Sequence, residues 1–263
     1  NEQLKIFDEL ACLAIYTSSK GSLKPPGLIT PIKPFVYFQR DTSVRIVPYG
    51  NALLIGVPYM ALEQPLDVLS IPHEIGHHVY QQGRFDATKP IKLTLEKHFA
   101  GRPIWLRAWL EEIFADIYGF LIAGPITGFT IQDILSDNLP SGLVMDDGVH
   151  PVGVIRPYIY TELLHLTGNE ELAGYLKTQW DEKRKDTGIS QLKRLAQNIE
   201  VTESDVLGEV CEVVMEMYNK IKEYFPEPRW TTYAHDAADP GSSIKAFYDS
   251  FDITTILSSN AIG

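Results

Sequence analysis

Cysteine is nearly missing from this chain, with only Cys12 and Cys211 among 263 residues. Two thiols cannot staple a disulfide scaffold, and their placement matches no cysteine-based metal site. Both lie in apolar stretches of helical pattern and are read as buried thiols, a single disulfide being the alternative. Basic charge is also short: 23 Lys and Arg stand against 34 Asp and Glu, a net charge of -11. With no basic stripe to neutralise phosphates, the chain is not expected to bind nucleic acid. Long apolar runs are missing too. The longest, around 114–127 and 206–217, are short or interrupted by charge or glycine, so no integral membrane segment is expected. The chain shows no basic start followed by an apolar signal segment, although the opening Asn1 is compatible with trimming. A soluble protein is expected, cytoplasmic or exported after removal of a signal peptide.

What is present suits a globular domain with a sizeable core, since 44% of the residues are hydrophobic. No internal repeat, low-complexity tract or linker divides the chain, so residues 1–263 are read as one domain. Residues 3–17 carry a helical stripe through Leu4, Phe7, Leu10 and Leu13. The proline- and glycine-rich segment 21–34 reads as irregular. Then "FVYFQ", "SVRIVPY" and "NALLIGVPYMAL", the last two joined by a turn at 49–51, read as antiparallel strands. After Pro65 the period changes to that of a helix in "LDVLSIPHEIGHHVYQQ", with Pro72 in its first turn and Asp67 or Ser70 as its cap. A second helix, about 103–121, carries Trp105, Ala108, Glu112, Ala115, Asp116 and Gly119 along one side. Further helices are expected near 131–137, 152–166, 169–183, 188–197 and 203–224. The fold class is α+β: a small antiparallel or mixed sheet and one helix in 35–82, then a mainly helical lobe from about 103.

The helix after Pro65 contains His73, Glu74 and His77 in the order H-E-x-x-H. Histidines four apart on a helix share a face, which puts two nitrogen ligands on one stiff element. A hydrolytic zinc site needs three protein ligands and an open position. Glu74, next to the first histidine, can act as general base without occupying the metal. The third ligand is expected from "WLEEIFADIYG", where Glu112 and Asp116 are also four apart. Glu112 is the candidate ligand, and Asp116 can accept the second imidazole N–H of a ligating histidine. Glu111 points roughly 100° away along the helix and is the weaker candidate. Each piece also has a plain reading, as a satisfied core histidine or a solvated acidic pair.

Three separated segments resemble the gluzincin zinc peptidases, the family that includes the CAAX prenyl endopeptidases and the HtpX-like proteases. They are "HEIGHH" at 73–78, "EIFADIYG" at 112–119 and "HPVGVIR" at 150–156. The resemblance spans about 51–156. It implies a zincin-like fold, Zn2+ held by His73, His77 and Glu112, a catalytic carboxylate at Glu74 and a supporting one at Asp116. It also implicates His150 and Arg156 near the substrate, His150 as donor to the oxyanion and Arg156 holding the peptide or orienting a carboxylate. A weaker likeness at "NALLIG" implies that Asn51 and Ala52 open a sheet edge that pairs with extended peptides. The implied activity is a zinc endopeptidase acting on peptides or proteins. An aminopeptidase or other zinc hydrolase, and a latent or noncatalytic peptide-binding protein with 21–34 over its groove, are the alternatives.

Overall fold

The computed structural model describes residues 2–17, 27–30, 32–40, 45–49, 52–62, 68–136, 140–185, 191–194, 199–225 and 229–230. Helix α1 (Glu2–Thr17) precedes strands β1 (Lys33–Gln39), β2 (Arg45–Tyr49) and β3 (Ala52–Pro58). Helix α2 (Ser70–Gln82) leads through a hairpin of β4 (Arg84–Phe85) and β5 (Lys89–Pro90) to α3 (Ile91–His98), α4 (Ile104–Ala108) and α5 (Leu110–Ala123). Then come α6 (Ile126–Ser136), α7 (Pro140–Leu143), α8 (Arg156–Leu166), α9 (Glu170–Arg184), β6 (Gln191–Arg194), β7 (Ile199–Thr202) and α10 (Glu203–Ile221). The fold is α+β, with small sheets against helices and a mainly helical C-terminal region. No helix among the described residues is long and apolar enough to cross a membrane.

The three-stranded sheet is mixed and not antiparallel throughout. Its order is β1-β3-β2, with β3 parallel to β1 and antiparallel to β2. The reason lies in composition. "ALLIGVP" carries no charge and buries Leu53, Ile55 and Val57 completely, so β3 takes the centre, while β1 leaves Phe35 and Tyr37 exposed. Helix α1 packs on β1 and on α2, burying Phe7, Leu10, Ala11, Ala14 and Ile15.

Helix α5 is the central element. Every residue from Glu112 to Ala123 is buried, as expected of a helix that is apolar nearly all round. Helix α2 packs against it on one side and α8 and α10 on others. The single helix expected over 103–121 is instead two. The chain breaks at Trp109, whose N–H bonds three residues back to Leu106 while its ring packs on Trp105 at 4.9 Å. Ala108 therefore sits exposed on α4 and takes no part in the α5 face.

Two other expectations fail. Within 188–197, the segment Gln191–Arg194 is a strand, because Ile199–Thr202, with β-branched Ile199, Val201 and Thr202, folds back to pair with it and outweighs the helix propensity of Leu, Lys and Arg. Thr202 then caps α10, its Oγ1 accepting from the Asp205 N–H at 3.2 Å. Ser70 does not cap α2; it is the first helical residue, and Leu69 occupies the cap position without a side-chain bond. Asp67 lies outside the described residues, as do Asn51 and residues 21–26 and 31 of the segment 21–34 expected to cover a groove.

Candidate metal centre

Two small residues bring α2 and α5 together. A Cβ added at Gly76 would stand 2.8 Å from the Ala115 Cα, and one at Gly119 would stand 3.3 Å from the His73 backbone. Any side chain at Gly76 would push the helices apart. That approach places His73 and His77 against Glu112, one turn from Asp116 on α5.

His73, His77 and Glu112 form a cluster able to coordinate a metal ion, with one ligand atom from each within 4.8 Å of the others. The two histidine Nε2 atoms lie 3.2 Å apart. His77 Nε2 is 3.3 Å from Glu112 Oε1, and His73 Nε2 is 3.5 Å from Glu112 Oε2. Four-coordinate ligands at zinc's usual bond lengths of about 2.0–2.1 Å stand about 3.3 Å from one another. The spacings therefore fit a tetrahedral ion.

The outer nitrogens of both rings face carboxylates. His73 Nδ1 lies 2.9 Å from Asp116 Oδ1, a close charge contact without the alignment of a full hydrogen bond. His77 Nδ1 lies 3.2 Å from Glu111 Oε1, and Glu111 Oε2 accepts from Gln81 Nε2 at 2.5 Å. Acceptors on the outer side assign the ring N–H to Nδ1 and leave both Nε2 lone pairs pointing inward, beside an anionic oxygen. Such an arrangement calls for a positive charge between them. In the metal-free protein a proton serves. Burial alone would depress the His73 pKa, but Asp116 and Glu112 outweigh it and raise the value to about 9.

Asp116 is completely buried and accepts four contacts. Arg156 Nη2 donates to Oδ1 at 2.8 Å and Nε to Oδ2 at 3.0 Å, the Tyr160 hydroxyl donates to Oδ1 at 2.8 Å, and His73 completes the set. Burial would raise its pKa, yet Arg156 and His73 hold it below the ordinary carboxylate range. Arg156 Nη2 also reaches Glu112 Oε2 at 3.3 Å and lies 3.4 Å from His73 Nε2, so its Nε and Nη2 are directed at the two carboxylates and the edge of the cluster. Glu112 is likewise held low despite burial, by His73 and Arg156.

His150 approaches from the loop before α8. Its Nδ1 is 2.6 Å from Asp147 Oδ2 and its Nε2 is 3.4 Å from Glu112 Oε1, so Asp147 turns the ring toward the cluster. Asp147 also accepts the backbone N–H groups of Val149 and His150, both at 2.8 Å. Glu74 lines the same cavity of about 260 Å³ as His73, His77, Glu112, His150 and Arg156. Burial raises its pKa, a shift the neighbouring histidines only partly offset.

Ala52 is not brought to this place. It sits on the central strand, paired with Lys33 on one side and Tyr49 on the other, so it opens no sheet edge. Conversely, three contributors escaped the sequence reading: Glu111 in its role on His77, Tyr160, and the α6 wall of the cavity. The adjacency of Glu111 to Glu112 offered a hint, because the two carboxylates meet the two ring nitrogens of His77, Nδ1 at 3.2 Å and Nε2 at 3.3 Å.

Cys12 and Cys211 are both unpaired and half-buried, and burial raises the Cys211 thiol to about 11. No protein-family model matches the chain, and no curated protein or solved structure matches it either.

Proposed function

We propose that this protein is a zinc-dependent endopeptidase of gluzincin type. The observation that carries the reading is the convergence of His73 Nε2, His77 Nε2 and a Glu112 carboxylate at ligand spacing, with Glu74 beside them in the same cavity. The resemblance of the segments 73–78, 112–119 and 150–156 to that family supports it. A bound zinc ion would polarise a water molecule and the amide carbonyl.

The chain's own residues supply the rest. Glu74, whose proton affinity burial raises, takes a proton from the attacking water and returns it to the leaving nitrogen. His150, with its Nδ1–H on Asp147, serves the oxygen on which negative charge develops through a second N–H at Nε2, the doubly protonated ring being the form that donates from both nitrogens. Asp116 and Glu111 hold the two ligand rings, and Arg156 holds Asp116 and Glu112.

The test is to incubate zinc-loaded protein with a diverse unfolded-peptide library, with Glu74→Gln in parallel, and to read products by mass spectrometry. Internal cuts by the wild type, absent from a folded and metal-loaded Glu74→Gln, are expected. Full activity in that variant removes Glu74 as the base. Release of one residue at a time from the N-terminus assigns the site to an aminopeptidase instead.

A further inference from the structure

Helix α8 has two faces in use. From one, Arg156 and Tyr160 reach Asp116. From the other, Tyr158, Thr161, Glu162 and His165, at the i, i+3, i+4, i+7 spacing of a single stripe, form the floor of a separate cavity. Helix α9 supplies one wall with Lys177, Asp181, Arg184 and Lys185, and α10 supplies the other with Leu207 and Cys211. The volume is about 660 Å³, within the range of about 300–1,000 Å³ that takes small organic ligands. None of these residues lines the cavity at the metal cluster.

Every lining cation is matched by an acid. Lys177 Nζ donates to Asp181 Oδ2 at 2.5 Å, Arg184 Nε donates to Asp181 Oδ1 at 3.4 Å while its Nη1 pairs with Glu203, and Lys185 Nζ lies 3.9 Å from Glu182. Lys177 and Arg184 also lie over the Tyr158 ring, whose hydroxyl donates to Asp181. His165 Nδ1 is 2.6 Å from Glu170 Oε2. Burial and the nearby Glu162 raise the Cys211 pKa to about 11, so it lines the cavity as an uncharged thiol. Glu162 is the exception. It is half-buried in the cavity, and among the described residues it makes no hydrogen bond or ion pair. A carboxylate drawn out of water without a partner costs free energy that a bound cation returns. With the other charges matched, Glu162 leaves the site one negative charge in excess, in a chain whose net charge is -11. Beside it, Leu207 and Cys211 offer a surface that an apolar group can cover.

We infer that the cavity between α8, α9 and α10 binds a small organic ammonium, an amine carried on an aryl or alkyl body, with Glu162 as its counter-ion and Leu207 and Cys211 against its apolar part. The site is independent of any reaction at the metal cluster.

Three probes of similar shape and different charge test it: phenethylamine, phenethyl alcohol and hydrocinnamate, each titrated by calorimetry into the whole zinc-loaded protein. The amine should bind about tenfold more tightly than the alcohol, the worth of one charge-assisted hydrogen bond at a half-buried site, and the acid should bind most weakly. In Glu162→Gln, which keeps the shape of the side chain, the amine should fall to the level of the alcohol while the alcohol is unchanged. That loss also places the bound amine here and not at the metal cluster. Should Glu162→Gln misfold, Leu207→Trp fills the cavity from α10 and should weaken amine and alcohol alike. Equal binding of amine and alcohol, tighter binding of the acid, or no binding of any probe at millimolar concentration overturns the proposal. So does an amine affinity that either variant leaves unchanged.

Discussion

Asp116→Asn removes one charge from the centre of the site while keeping its volume. The carboxylate is completely buried and receives Arg156 twice, at 2.8 and 3.0 Å, with Tyr160 and His73 around it. An amide in its place turns one acceptor into a donor that faces donors. Arg156, itself only 14% exposed in its side chain, would keep Glu112 at 3.3 Å as its remaining anion. Breaking a buried ion pair from one side costs about 3–5 kcal/mol. Because Glu112 stays, the expectation is the lower end, about 3 kcal/mol, a large share of the roughly 5–15 kcal/mol that holds an ordinary domain together. Zinc affinity should fall about tenfold to a hundredfold as well, since His73 loses the anion beside Nδ1. Urea denaturation of the metal-free protein reads the first effect and competition with a chelator the second. In Asp116→Asn/Arg156→Gln neither charge is left alone, so the double variant should be more stable than the sum of the single losses implies. A single loss below about 1 kcal/mol, the level of an exposed pair, together with additive singles would refute the reasoning.

The raised pKa of His73, about 9, sets two pH dependences in the metal-free and metal-binding protein. Protonated His73 stabilises the metal-free fold fully below its unfolded value of about 6.5, and that contribution is lost as pH rises through about 9. Zinc must displace the same proton, so zinc affinity should climb by up to about tenfold per pH unit from pH 6.5 toward 9 and then flatten; a level chelator-competition profile over that range counts against the assignment. Glu111→Gln should weaken zinc about tenfold by freeing the His77 ring, whereas Glu112→Ala should weaken it far more. Equal losses in the two would make Glu111 a ligand. Gly124 ends α5 at φ +81°, where an added Cβ would meet the Trp230 ring at 2.5 Å. Gly124→Ala should therefore cost at least about 1–2 kcal/mol in chemical denaturation, and an unchanged midpoint would show that the turn relaxes.

Much of the site is legible in residue spacing because α-helices make spacing into geometry. His73 and His77, like Glu112 and Asp116, lie four apart, and a helix turns that interval into a shared face whatever surrounds it. The helical stripes of α1, α2, α9 and α10 and the strand character of β1 to β3 follow from local periodicity for the same reason. Where the reading failed, long-range or neighbouring contacts overruled local pattern. Gln191–Arg194 is a strand because Ile199–Thr202 pairs with it. The helix over 103–121 breaks because two tryptophans pack at Trp109.

By itself, then, the sequence determined the chemistry available: two imidazoles, a flanking carboxylate and a second acidic helix, with small residues to let the helices meet. Tertiary structure decided how those groups are used. The approach of α5 to α2 set the 3.2 Å between the two Nε2 atoms, and the docking of α8 gave Arg156 to Asp116 and not to the loop acids beside it. Strand order placed Ala52 in the sheet centre, and α6 closed the cavity with an uncharged face. Each of these depends on which elements pack side by side, a choice made by the burial of whole faces and written in no short stretch of the chain.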